Sequence, residues 1–70
     1  MDIKEKLQRF FDKDILSIFK KENLYYVVLD DGLFIKPVYE IDINGENKVE
    51  YNIPSPVLDK EYECIWSRNK

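Results

Sequence analysis

At Asp14 the apolar residues change their spacing, and that change limits the chain to one kind of fold. Before it, Ile3, Leu7, Phe10 and Phe11 recur at three- and four-residue intervals, which places them on one stripe of a helix. After it, apolar residues cluster in the short β-branched and aromatic runs ILSIFK, LYYVVL, LFIKPVYEIDI, KVEYNI and YECIWS, separated by turn-forming residues. The pattern predicts a helix over about residues 2–13 and strands over about 15–20, 24–30, 33–43, 47–53 and 61–67. Asp2 followed by Glu5 fits a capping box, with both carboxylates near the positive end of the helix dipole. The expected class is α+β: an N-terminal helix followed by a strongly twisted antiparallel meander of four or five strands.

The chain has 70 residues, the length of a single domain spanning 1–70. A domain this small hides only about 60% of the surface its unfolded chain exposes, which leaves a stability of a few kcal/mol and little room for a buried active site. Cys64 is the one cysteine and there is no histidine, so neither an intramolecular disulfide nor a Cys/His metal cluster can staple the fold. The hydrophobic fraction of 44% is nevertheless enough to build a core despite 36% charged residues. The N-terminus lacks the uncharged apolar run of a signal peptide, and no segment approaches the roughly 18 apolar residues of a membrane span, so the expected location is the cytoplasm.

Turn chemistry sets the expected strand register. Asp31-Gly32 is the strongest short hairpin signal, and a two-residue turn there pairs Leu29 with Phe34, Val28 with Ile35 and Tyr25 with Val38. One sheet face then carries Leu24, Tyr26, Val28, Ile35, Tyr39, Ile41 and Ile43 as the core. A tight Asn44-Gly45 turn would pair Ile43 with Glu46 and Ile41 with Lys48, mixing core with solvent. A loop with an odd number of residues instead gathers Tyr39, Ile41, Val49 and Tyr51 on one side and Glu40, Asp42, Lys48 and Glu50 on the other, and is the expected arrangement. Pro54-Ser55-Pro56 cannot continue a central strand and reads as a linker or edge crossing. In the last run Tyr62, Cys64 and Trp66 alternate with Glu61, Glu63 and Ile65 and are expected to point inward.

The order of one helix and five strands is similar to that of small SH3-like and Sm-like barrels, and LDDGLFIKPVYEIDIN resembles the first Sm motif over about a quarter of the chain. Pro37 stands where that motif has its second glycine, and no second RNA-binding motif follows. The resemblance implies a topology, with closure as a small barrel as one form of it, and no functional residue.

Charge and motif content exclude several functions. Residues 1–24 carry six basic against five acidic side chains and residues 25–70 five against nine, for a net charge of -3. That balance argues against ordinary nucleic-acid binding, which relies on a basic face. Glu40, Asp42, Asn44 and Gly45 match the first positions of an EF-hand loop, but Asn47 and Tyr51 fall where an aliphatic residue and a bidentate carboxylate are required. No metal or other cofactor is expected. Cys64 and the serines have no histidine to activate them, and Gly32 and Gly45 do not make a phosphate loop, so no enzyme is expected.

The face opposite the expected core carries Tyr25, Val27, Leu29, Phe34 and Val38 at one end and Glu40, Asp42 and Glu50 at the other, while one short helix covers only one side of a sheet. The leading expectation is a non-enzymatic protein-binding module that occludes a partner with a basic surface. Tyr25, Phe34 and Val38 would supply buried contacts, and Glu40, Asp42 and Glu50 electrostatic steering. Alanine and threonine are absent while Lys, Asn and Ile abound, a bias of AT-rich genomes, bacterial or phage, that speaks to source and not to mechanism; a small phage or mobile-element inhibitor or adaptor is one form of the leading expectation. Two alternatives follow from other features. Lys6, Arg9 and Lys13 share a basic helix flank suited to RNA or DNA, and the apolar end of the sheet suits a structural homo-oligomer, a homodimer being one form.

Overall fold

The computed structural model describes residues 2–30, 32, 36–42, 44–46, 48–51 and 53–68. Helix α1 (Ile3–Gln8) is followed by strands β1 (Asp14–Lys21), β2 (Leu24–Asp30), β3 (Val38–Ile41) and β4 (Val49–Tyr51), helix α2 (Ser55–Glu61) and strand β5 (Glu63–Ser67). The strands form one antiparallel sheet in the order β4-β3-β2-β1-β5, open between the edge strands β4 and β5. The α+β class and the N-terminal helix stand as expected. The meander holds for four strands only, because α2 carries the chain to the far edge, where β5 pairs with β1. Among the described residues no helix is long and apolar enough to cross a membrane.

Helix α1 is half as long as the apolar spacing predicts. Asp2 caps its start, accepting the Glu5 N–H at 2.9 Å. Its end is fixed by Gln8, whose Nε2 donates to the Lys13 carbonyl at 2.6 Å while its Oε1 accepts the Ile15 N–H at 3.0 Å. One side chain thus satisfies a backbone carbonyl and a backbone N–H at the entry to β1, and the amides of Phe10 and Phe11 bond three residues back in a tightened exit. Phe10 and Phe11 reach the core from that turn rather than from a helix.

The sheet is covered on both faces. On one, Leu7 of α1 closes over Ile15, Ile18, Val27, Leu29 and Ile41. On the other, Leu58 of α2 closes over Phe19, Tyr26, Val28 and Val38. The single core face expected from the Asp31-Gly32 turn is therefore incorrect: Leu24, Tyr26 and Val28 belong to the α2 side, whereas Tyr39 and Ile41 belong to the α1 side. Val28 pairs with Val38 rather than Ile35, a displacement of three residues, and an odd displacement exchanges the faces. The long connection is built around Asp30, whose carboxylate takes the Gly32 N–H at 3.3 Å and the Lys36 ammonium at 3.4 Å, and which pairs with Arg68 at 3.0 Å. The predicted strand over 33–43 is reduced to Val38–Ile41, with Lys36 and Pro37 outside it and 33–35 and 43 outside the described residues. The predicted strand over 47–53 is reduced to Val49–Tyr51, with 47 and 52 undescribed.

The second hairpin also adopts the register set aside on patterning grounds. Glu40 pairs with Val49, Tyr39 with Glu50 and Val38 with Tyr51, the alignment of a tight Asn44-Gly45 turn, with an Asp42–Gly45 turn closed by the Gly45 N–H at 3.1 Å. The Asp42 carboxylate accepts the amides of Asn44 and Glu46 at 3.0 and 2.9 Å, and Gly45 takes a φ of +80°. Turn chemistry overrides face separation because β4 is a short edge strand, with Val49 and Tyr51 45% and 41% exposed, so little burial opposes it.

Helix α2 replaces the start of the predicted strand over 61–67 and the expected linker at Pro54-Ser55-Pro56. Pro54 is its N-cap and Pro56 lies in the first turn, where a missing N–H costs no hydrogen bond. In β5 the register with β1 shifts between Ile18 and Phe19, so Trp66 turns to the α1 side while Tyr62 and Cys64 face the α2 side.

Candidate binding groove

Sequence-distant segments meet where the turn after α1 rests on the β3–β4 hairpin. Phe10 packs against the bare face of Gly45: a Cβ there would overlap the phenyl ring, 2.7 Å from Cδ1 and nearer still to Cε1 and Cζ. Lys48 donates to the Phe10 carbonyl at 3.3 Å, a second tie between the same segments. Beside these contacts opens a groove of about 410 Å³.

Its floor is apolar, made by Leu29 of β2 and the rings of Phe10, Phe11 and Tyr39. Phe11 and Tyr39 meet with centroids 5.4 Å apart and planes tilted by 51°. The Lys48 ammonium lies 5.2 Å from the Phe11 centroid and 5.9 Å from that of Tyr39. Such cation–π contacts contribute on the order of 0.5–1 kcal/mol at exposed sites, enough to orient the lysine without fixing it. Arg9 and Asp12 complete the rim. With Arg9 and Lys48 against Asp12, the lining carries a net charge of +1 in a chain of net charge -3. Arg9, Asp12 and Lys48 are exposed and make no ion pair among the described residues, in contrast to Lys36 and Arg68, both held by Asp30.

The residues expected to bind a basic partner are not gathered in the same way. Tyr25 is half-buried on the α1 side with the Lys20 ammonium 5.8 Å from its ring centroid, while Val38 is 2% exposed beneath α2 on the opposite face. Phe34 lies outside the described residues. Glu40 faces the α2 side and accepts a hydrogen bond from the Tyr26 hydroxyl at 2.7 Å; burial and this carboxylate push the Tyr26 phenol well above its ordinary value. Asp42 shapes the hairpin turn, and Glu50 lies across from Tyr39 on the α1 side. Of the alternative basic set, Lys6, Arg9 and Lys13 are all exposed, and Arg9 lines the groove.

Phe10, Phe11, Asp12, Leu29, Tyr39 and Lys48 were absent from the sequence-derived site. For Lys48 a signal existed, since the Asn44-Gly45 register places it opposite Ile41 and therefore on the face of Tyr39. Cys64, half-buried on the other side of the sheet, directs its thiol to the Trp66 carbonyl at 3.5 Å. No protein-family model, curated protein or solved structure matches the chain significantly.

Proposed function

We propose that this chain is a small non-enzymatic protein-binding module that engages its partner through the groove beside α1 rather than through a flat acidic sheet face. The observation that supports this reading is the convergence of Arg9, Phe11, Tyr39 and Lys48, from three separate segments, on one concavity with an apolar floor and a charged rim. Its volume falls within the range of about 300–1,000 Å³ typical of small ligand sites, suited to one or two side chains of a partner rather than to a whole helix. Among the described residues the groove lining contains no histidine, cysteine or serine, so it offers no serine or cysteine nucleophile beside a histidine base.

Tagged protein used as bait in the cell that makes it provides the test. Lys48→Glu should lose a partner that wild type and the Glu40→Gln/Glu50→Gln double variant both retain. Loss with the double variant and retention with Lys48→Glu would return the binding surface to the sheet carboxylates and overturn the reading.

A further inference from the structure

We infer that the occupant of the groove is an acidic–apolar peptide segment, in which an Asp or Glu carboxylate is held between Arg9 and Lys48 while an adjacent large apolar side chain lies on the Phe11–Tyr39 floor. The inference rests on the groove being the binding surface and specifies what it recognises. Arg9 offers a guanidinium fork unopposed by any carboxylate partner among the described residues, and a lysine ammonium has three donors, of which the Phe10 carbonyl takes one. Lys48 now lies over the two rings, so an incoming apolar side chain takes its place there while the ammonium swings to the carboxylate. The exchanged cation–π contact is weak, and a charge-assisted hydrogen bond is the stronger of the two.

The surroundings favour one or two carboxylates over a polyanion. Asp12 sits on the rim, Glu50 is the cross-strand neighbour of Tyr39, and the chain as a whole is negative, so a run of phosphates would meet repulsion on leaving the Arg9–Lys48 pair. Asp12 also suits an extended peptide, because its carboxylate can accept a backbone N–H, which a phosphodiester strand does not present.

Fluorescence anisotropy with short labelled peptides tests this on the full chain. A peptide carrying Asp-Glu-Leu-Phe in a serine–glycine background should bind with a salt-sensitive, micromolar-range affinity. Replacing its Leu-Phe by Ala-Ala or its Asp-Glu by Lys-Lys should abolish measurable binding. Lys48→Glu should weaken the acidic peptide by about tenfold, the effect of turning one favourable charge pair into a repulsive one. The same variant should gain binding of the Lys-Lys peptide, a rescue that a merely structural role for Lys48 would not produce. Absence of binding by the acidic peptide, or equal binding by wild type and Lys48→Glu, would overturn the inference. Single-stranded oligothymidylate binding that depends on Lys48 would overturn the peptide in favour of a nucleic acid while leaving the groove as the binding surface. Wild-type binding of the Lys-Lys peptide, lost in Glu40→Gln/Glu50→Gln, would overturn both the occupant and the groove.

Discussion

Gly45 and Gly32 have nearly the same backbone conformation and different surroundings, which makes the pair a measurement of how tightly the groove is built. Their φ angles are +80° and +84°, and an added Cβ at Gly32 would meet nothing within 4 Å, whereas at Gly45 it would overlap the Phe10 ring. Placing an L-residue in the left-handed region costs about 1–2 kcal/mol, and the reduced freedom of the unfolded chain returns roughly 0.4–1 kcal/mol. Gly32→Ala should therefore lose no more than about 1.6 kcal/mol. Gly45→Ala carries the same backbone term plus about 1–3 kcal/mol of overpacking, because Phe10 is held by the core on its other side. The expected total, about 1–4.6 kcal/mol, approaches at its upper end the whole stability of a domain this size. Urea denaturation followed by Trp66 fluorescence would give both values. In the cycle with Phe10→Ala, the double variant should lose less than the sum of the single losses, because the clashing ring is gone. Equal losses for the two glycine variants, or strict additivity with Phe10→Ala, would show that Phe10 does not bear on Gly45 and would remove the link between the α1 exit and the hairpin.

Two further outcomes follow from the polar clamps. Gln8→Ala leaves the N–H of Ile15, a residue 1% exposed, without its side-chain acceptor, and should cost about 1–3 kcal/mol with faster amide exchange at Ile15; unchanged exchange there would refute the clamp. Asp30 is held below its ordinary value of 3.8, chiefly by the Arg68 hydrogen bond and next by the Gly32 N–H. A carboxylate with a depressed folded pKa stabilises the fold above its unfolded pKa and loses that contribution as pH falls through the folded value, so the effect appears below about pH 4. Arg68→Gln should move the Asp30 titration, followed by NMR, back towards the ordinary value, with a small stability loss that is present near neutrality and vanishes as pH falls below about 4, small because solvent screens the pair.

The elements that the sequence announced are those whose signals are local. Asp2 and Glu5 marked the start of α1, the cap forms on Asp2, and the runs at 15–20 and 24–30 became β1 and β2 with bounds shifted by at most one residue. The misread elements needed information beyond the chain's own pattern. The end of α1 depends on a glutamine reaching five and seven residues along the chain, and nothing in the apolar spacing of Phe10 and Phe11 distinguishes a continuing helix from a tight turn that delivers the same rings to the core. Pro54-Ser55-Pro56 signals a break, and a break is also how many helices begin.

The strand register was misread, and with it which residues share a face, for one physical reason. Polar–apolar alternation specifies register only when one face of a sheet is buried and the other is wet. Here α1 covers one face and α2 the other, so LYYVVL is apolar on both sides and Tyr26, Val27, Val28 and Leu29 are all buried. Sorting those residues into core and solvent therefore imposed a distinction the fold does not make. In such a sheet the more informative signals are the turns, and at Asn44-Gly45 the turn preference pointed to the register that the structure adopts. That register separates Glu40 from Glu50 and carries Lys48 to Tyr39, and the α1 exit brings Phe11 and Arg9 to meet them. The basic, aromatic character of the groove is thus a consequence of the Asn44-Gly45 turn: with Val49 and Tyr51 exposed on a short edge strand, little burial opposes the register that puts Lys48 on the face of Tyr39.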